Sequence, residues 1–214
     1  MDYYMNAAGI SSACIREFET ESNTDIAKGT ALSVSDGKVK VAADGEVILG
    51  ICASDYHAEK DELIPESGNG RIRVIISGDA IYKIPLFRTT LADAGTKTSL
   101  TVSGLSLPTA AGALKGGYVK LVSKTETSTN TDHVGVARKI TASSGASLTL
   151  SEGGAPCAGD VYAIIPPVGF EYLALSEDAR SFVTASSKKY VAKVVSALAE
   201  ADFSEIVLTN TFIG

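Results

Sequence analysis

The stretch "ALSVSDGKVKVAADGEVILGIC", Ala31 to Cys52, sets two Asp-Gly pairs between three apolar-rich runs. Asp-Gly favours tight hairpins because both residues tolerate the positive φ angles that match the twist of the flanking strands. With Asp36-Gly37 as a two-residue loop, Val34 falls opposite Val39 and Leu32 opposite Val41, so the four side chains share one face. At the second turn a two-residue loop would set Val39 against Gly50 and turn Leu49 to the far face. A three-residue loop, Ala43-Asp44-Gly45, pairs Val41 with Val47 and Val39 with Leu49, with Gly45 in the left-handed region beside a bulge. The spacing therefore predicts a three-stranded meander.

Upstream lie an arm over residues 1–13, the strand-like "CIREFET" and a turn around Gly29. Downstream, the polar run Ser54 to Gly70 leads into "RIRVIIS", where Ile72, Val74 and Ile76 alternate with Arg71, Arg73 and Ile75, the period of a half-buried strand. An echo occurs near the C-terminus: Val39 lies on Phe182, Ala42 on Ala185, Val47 on Tyr190, Ile48 on Val191 and Ile51 on Val194. "RIRVIISG" then falls on "FSEIVLTN". The five single-residue matches are apolar on apolar, so the pattern fits an internal duplication and equally the ordinary similarity of two β-meanders.

Between the copies the texture changes. "YVKLVSK", "HVGVARKI", "ASLTLS" and "DVYAIIP" read as strands, "KTETSTNTD" and "SEGGAPCAGD" as turn-rich loops, and Pro166-Pro167 as a hinge. Helical turns are expected only around Val195 to Ala201 and Ala110 to Leu114. The chain thus divides into the arm (1–13), a first β-domain part (14–84), a middle β-module (85–168) and a C-terminal meander (169–214) that packs with or repeats the first part. The fold class is all-β: short-strand meanders in a barrel-like core, a second β-module and very little helix.

Composition agrees. In 214 residues, 45% are hydrophobic, Gly numbers 20 and Trp is absent, as in chains of many short strands joined by turns. The net charge of −6, with 19 scattered basic residues, offers no basic strip for phosphates or anionic lipid, so neither nucleic acid nor membrane is an expected partner. The opening "MDYYMNAAGISSAC" has the pattern of neither a signal peptide nor a membrane span, which places synthesis and folding in a cytoplasm.

The chemistry-bearing residues are sparse. Cys14, Cys52 and Cys157 stand far apart without a CxxC pair, which argues against a disulfide framework and a zinc site; Cys52, ending an apolar run, reads as a small core hydrophobe. His57 and His133 sit in separate polar stretches. Glu59, Asp61, Glu62 and Glu66 cluster with His57 around Lys60 in one loop, unlike carboxylates that work across a cleft from separate elements. "SEGGAPCAGD" lacks the Lys-Ser/Thr ending of a phosphate cradle. No catalytic residue, metal or cofactor is expected. Two surfaces remain as interaction candidates: the arm with Met1, Tyr3, Tyr4 and Met5, which either meets a partner or folds back on its own domain, and the loop with Tyr56, His57, Glu59 and Lys60.

"AKGTALSVSDGKVKVAADGEVILGIC" followed by "GRIRVIISGDA" resembles the capsid decoration (cement) proteins of tailed bacteriophages. The resemblance rests on the Gly29 turn, the strand pair about Gly37, the Gly50-Ile51 step and a Val-rich strand ending at Gly78. "SFVTASSKKYVAKVVSALAEADFSEIVLTN" is similar to parts of other phage head proteins, and "AGDVYAIIPPVG" to accessory phage structural domains. The resemblance implies a β-tulip-like core and a virion protein on the outer capsid surface, bridging subunits of the major capsid protein and forming a homo-oligomer, a trimer by preference. It implies no catalytic residue. The alternative is an adhesion or carbohydrate-binding module of a head fibre or tail appendage.

Overall fold

The computed structural model describes residues 14–20, 22–61, 63–64, 68–76, 80–189, 191–196 and 198–209, together with the backbone of 2–6. The chain opens with β1 (Asp2–Asn6) and β2 (Ile15–Glu19), followed by the hairpin β3 (Ala31–Ser35) and β4 (Lys38–Val41). Asp36 and Gly37 have φ of 50° and 79°, the two positive angles of a type I′ turn, and the ladder pairs Val34 with Val39 and Leu32 with Val41 as the Asp-Gly spacing requires. Burial follows position as well as parity. Leu32 and Val39 lie in the core, whereas Val41 is 41% exposed at the far end of the sheet's outer strand.

The second turn corrects the meander. β5 (Gly50–Cys52) pairs with β3 through Ala31↔Ile51 and Leu32↔Gly50 and has no ladder with β4, so the chain crosses to the other side of β3. The expected pairs Val41 with Val47 and Val39 with Leu49 are absent among the described residues. A central strand must be buried on both faces, and Ile48, Leu49, Gly50, Ile51 and Cys52 are all buried. Gly45 does take a positive φ of 87°, inside a turn closed by Glu46 N–H on Ala43 C=O.

Glu46 fastens this crossover. Its carboxylate accepts from Lys40 Nζ at 2.7 Å, Ser33 Oγ at 2.8 Å and the Ala43 N–H at 2.9 Å, with Lys40 the largest influence; together they pull its pKa from 4.5 to about 2. A carboxyl that titrates lower when folded contributes stability above its unfolded value and loses it as pH falls toward the folded value. Glu46→Gln should therefore flatten the acid-unfolding curve between pH 4.5 and about 2 while changing stability near pH 7 by at most about 1 kcal/mol, since the Lys40 pair is partly solvated. Equilibrium unfolding in denaturant across that pH range measures it.

With β6 (Arg71–Ile75) the first unit is a five-stranded sheet in the order β2-β6-β5-β3-β4. It curls until its two outer strands meet at one end, where Thr20 bridges to Val39 and its Oγ1 donates to the Val39 carbonyl at 2.8 Å. Leu32, Val39, Cys52, Ile72 and Val74 fill the inside with Ile26 and Tyr56. Ala31, Ile51 and Ile75 point the other way into a second, larger core.

That larger core joins the first unit to another of like plan. β7 (Ala80–Pro85) is separated by a module from β14 (Leu173–Leu175), β15 (Phe182–Thr184), β16 (Ala192–Ser196) and β17 (Phe203–Leu208). Several backbone hydrogen bonds of the two units correspond, although β14 and β15 form a two-stranded sheet of their own where β3 of the first unit ladders with β5. Gly29, φ 85°, donates to Cys52 C=O at 2.9 Å; Gly169, φ 83°, donates to Val194 C=O at 2.8 Å. Cys52 N–H returns to Thr30 C=O, and Val194 N–H to Phe170 C=O. Cys52 pairs with Val74 and Val74 with Arg16; Val194 pairs with Ile206 and Ile206 with Tyr82. The structural match is Cys52 on Val194, one residue away from the Ile51 match that sequence spacing alone gives. β7 is thus the counterpart of β2, and although it falls within residues 14–84 it ladders with the C-terminal β17.

The module occupies the connection equivalent to Thr20–Ile26. It is a six-stranded sheet built from β8 (Phe87–Thr90), β9 (Ser99–Thr101), β10 (Tyr118–Ser123), β11 (Ala137–Ser144), β12 (Ser147–Leu150) and β13 (Val161–Ile165), in the order β8-β13-β10-β11-β12-β9. β11 starts later than "HVGVARKI" predicts, because Gly135 at φ 93° turns the chain there. Pro166-Pro167 ends β13 and opens the Gly169 turn, with Pro167 Cδ packed against Gly117. The expected helical turns take other forms: Val195 and Ser196 belong to β16, and 111–116 is a run of turns.

Candidate functional site

The loop after β5 is held by the first unit's interior. Ile26 and Tyr56 exchange backbone hydrogen bonds at 2.9 and 2.8 Å, which turns the Tyr56 ring inward to 6% exposure; its hydroxyl reaches the Ser22 carbonyl at 3.4 Å. Tyr56 is therefore a core residue and presents no ring for stacking. The next residue points outward. His57 Nδ1 lies 3.2 Å from Asp25 Oδ2, and Asp25 Oδ1 accepts the Ala58 N–H at 2.9 Å. That amide first, and His57 second, hold the Asp25 carboxyl below its ordinary range. Gly68 N–H closes the loop on the His57 carbonyl at 2.9 Å.

Two open clefts flank His57. One of about 360 Å³ is walled by Glu17, Asp55, Asn69, Arg71 and Arg73; the other, about 790 Å³, by Asn23, Asp25, Glu59, Lys60 and Asp61. Glu59 and Lys60 are exposed on the rim of the second, while Glu62 and Glu66 lie outside the described residues. The second cleft thus brings His57, Glu59 and Lys60 to one surface, whereas Tyr56, largely buried, lines the first cleft with His57. Asp25 and Asp55 accept backbone N–H groups, Ala58 for Asp25 and Lys28 for Asp55, as fixtures of the loop's conformation. Among the described residues, no group of three His, Cys, Asp or Glu converges as metal ligands would. His133 is exposed in the module's turn before β11.

The arm is placed in part. β1 runs antiparallel to β7, with Asp2↔Lys83, Tyr3↔Tyr82, Met5↔Ile81 and Asn6↔Ala80, so Tyr3, Tyr4 and Met5 lie on the outer strand of the second unit's sheet. Met1 and all side chains of this segment lie outside the described residues.

The most elaborate polar cluster lies in the module. Asp160, fully buried, accepts from Thr125 N–H at 3.1 Å, Ser128 Oγ at 3.0 Å, Cys157 N–H at 3.2 Å and Asn130 Nδ2 at 3.4 Å. Burial is the largest single influence on its carboxyl and pushes its pKa up, yet the hydrogen bonds together outweigh it and the net shift is downward. Asn130 Nδ2 also donates to Tyr162 Oη at 2.7 Å, and burial first, with Asp160 next, drives that phenol up to about 12. Buried Arg138 donates to the carbonyls of Ser151, Gly154 and Lys97. These groups lock "KTETSTNTD" onto "SEGGAPCAGD", the two loops that composition marked only as turn-rich. Cys52, as expected, is buried, and its thiol is pushed up to about 11, chiefly by burial.

Comparison of the chain with protein-family models, with curated proteins and with solved structures finds no match.

Proposed function

We propose that this chain is a structural protein of a tailed-bacteriophage virion that binds the outer face of the capsid and stabilises or decorates the head by bridging neighbouring major capsid protein subunits. The observation that carries this reading is the doubled unit. Two units of related plan contribute to one core, which Ala31, Ile51 and Ile75 of the first share with Tyr82, Val194 and Ile206 of the second. Backbone and side-chain links reinforce the seam: Ala31 N–H donates to Ala179 C=O at 2.7 Å, Leu175 N–H to Asp44 Oδ1 at 3.2 Å, and Lys189 Nζ pairs with Asp44 Oδ2 at 3.2 Å. Two related β-units joined through one core suit a partner that itself repeats, because a second contact then forms at high effective concentration.

A bridge of this kind adds stability only to the assembled lattice, by mass action, and an oligomer matched to lattice symmetry, a trimer on a three-fold axis, multiplies the contacts. The acidic balance suits a surface turned away from packaged DNA. The test is co-sedimentation of the purified protein with undecorated heads of the virus that encodes it. Saturable binding at a fixed ratio to the major capsid protein is expected; a chain that stays in the supernatant at every concentration contradicts the reading.

A further inference from the structure

The correspondence between the two units exposes a difference at their outer edges. β7 carries a strand on its outer edge: β1 covers Ala80 to Lys83. By the equivalence of Arg16 with Tyr82, those positions correspond to Cys14 to Glu17 of β2. Among the described residues, the bridge between β4 and the outer edge of this strand is Thr20 to Val39, in parallel register, which leaves the Cys14–Glu17 portion beyond the β3–β4 turn. Ile76 N–H donates to Cys14 C=O and Thr20 N–H to Gly70 C=O, which sets the even-numbered residues of β2 toward β6. The N–H and C=O groups of Ile15 and Glu17 therefore point outward. Cys14, Arg16 and Glu17 are exposed, and Ile15 is 44% exposed, an apolar side chain on an edge that no strand among the described residues covers.

We propose that the edge of β2 from Cys14 to Glu17 accepts an antiparallel strand from another protein, an extended segment with Lys or Arg opposite Glu17 and an apolar residue opposite Ile15. Main-chain hydrogen bonds of strand addition supply the attachment, and cross-strand neighbours supply the selection. The charges name the occupant. On β7, Asp2 stands opposite Lys83; on β2 the equivalent of Lys83 is Glu17, so the sign is reversed and a second copy's β1 would set Asp2 against a carboxylate. Glu17 also walls the cleft of about 360 Å³ beside Arg73 and Asn69, which gives a long basic side chain room next to it. Arg71 Nη1, 3.8 Å from Glu17, and Arg73, opposite Glu17 in the ladder, are the cations with which an added basic side chain would share this solvated carboxylate. This inference stands whether or not the partner is a capsid.

The probe is the capped peptide Ser-Lys-Thr-Val-Thr-Ser, titrated into the full-length ¹⁵N-labelled protein, with Ser-Asp-Thr-Val-Thr-Ser as its counterpart. The expected result is shifted and exchange-protected amides at Ile15 and Glu17 with the Lys peptide, and binding about fivefold weaker with the Asp peptide. Glu17→Lys should invert that preference. Glu17→Pro, which deletes an outward N–H that β6 does not use, should abolish binding while the thermal transition stays in place. No response at Ile15 and Glu17 at millimolar peptide, or equal response to both peptides, overturns the proposal. Concentration-dependent protection of the same amides without peptide overturns the stated occupant in favour of a second copy.

Discussion

Gly50→Ala should lower stability by about 3–5 kcal/mol, seen as a thermal midpoint about 10 °C lower by circular dichroism. A Cβ at Gly50 would run into the Ile75 carbonyl oxygen and come within 2.8 Å of Val74 Cγ1 and 2.9 Å of Ile75 C. Relief cannot come from a rotamer change, because the obstacle is backbone. Moving β6 would break the Ile51↔Ile75 ladder and pull Val74 out of one core and Ile75 out of the other. Gly37→Ala is the control: φ is 79° but nothing lies within 4 Å of its Cβ, so only backbone strain is added, about 1 kcal/mol. A Gly50→Ala protein that melts with the parent would mean that β5 does not run between β3 and β6.

The second large effect belongs to Asp160. Asp160→Ala strands four donors in a buried site, and unsatisfied buried donors cost roughly 1–3 kcal/mol each before relaxation, so a loss of about 3 kcal/mol or more is expected. Hydrogen exchange should show the Thr125 and Cys157 amides losing protection first, because those loops are released from each other. The pH dependence has a definite sign. The folded carboxyl titrates below 3.8, so its contribution is complete above that value and disappears as pH falls through the lower folded value. Asp160→Asn keeps the shape, removes that acid-dependent portion and leaves amide hydrogens facing N–H donors. Full protection of both amides in Asp160→Ala would contradict the role assigned to this residue.

These two positions also mark where sequence reading succeeds and where it stops. The first hairpin is legible because Asp-Gly and the alternation of Leu32, Val34, Val39 and Val41 agree on one register. Asp44-Gly45 signals a reversal equally well, but a turn does not state which strand the chain joins next. The clue was the unbroken apolar run from Ile48 to Cys52, the mark of a strand buried on both faces. The distal echo is visible as apolar spacing, whereas its first strand, β7, is hidden by the module that separates it from β14.

Within the module, β8 and β9 lie in Ser/Thr-rich text where polar residues dilute the period, although Phe87, Thr89 and Leu100 are buried. Tyr56 illustrates the opposite error. An aromatic in a polar loop reads as an exposed contact until pairing with Ile26 turns it inward. The Asp160 cluster depends on residues from two loops and could not be assembled from either alone. His57, Glu59 and Lys60 do share a surface, since neighbours in one loop need no tertiary pairing to meet.

Under the proposed reading, the arm residues Tyr3, Tyr4 and Met5 connect fold with attachment. As part of β1 they cover the edge of β7, so removing residues 1–10 takes away a strand as well as a candidate contact. The measurement that bears most directly on the proposed head-surface role is cryo-electron microscopy of purified particles of the phage that this proposal assigns as the chain's source. The account predicts density for a two-unit β-body on the outside of the head, seated across the boundary between major capsid protein subunits. Particles that carry no such body on the head exterior would contradict it.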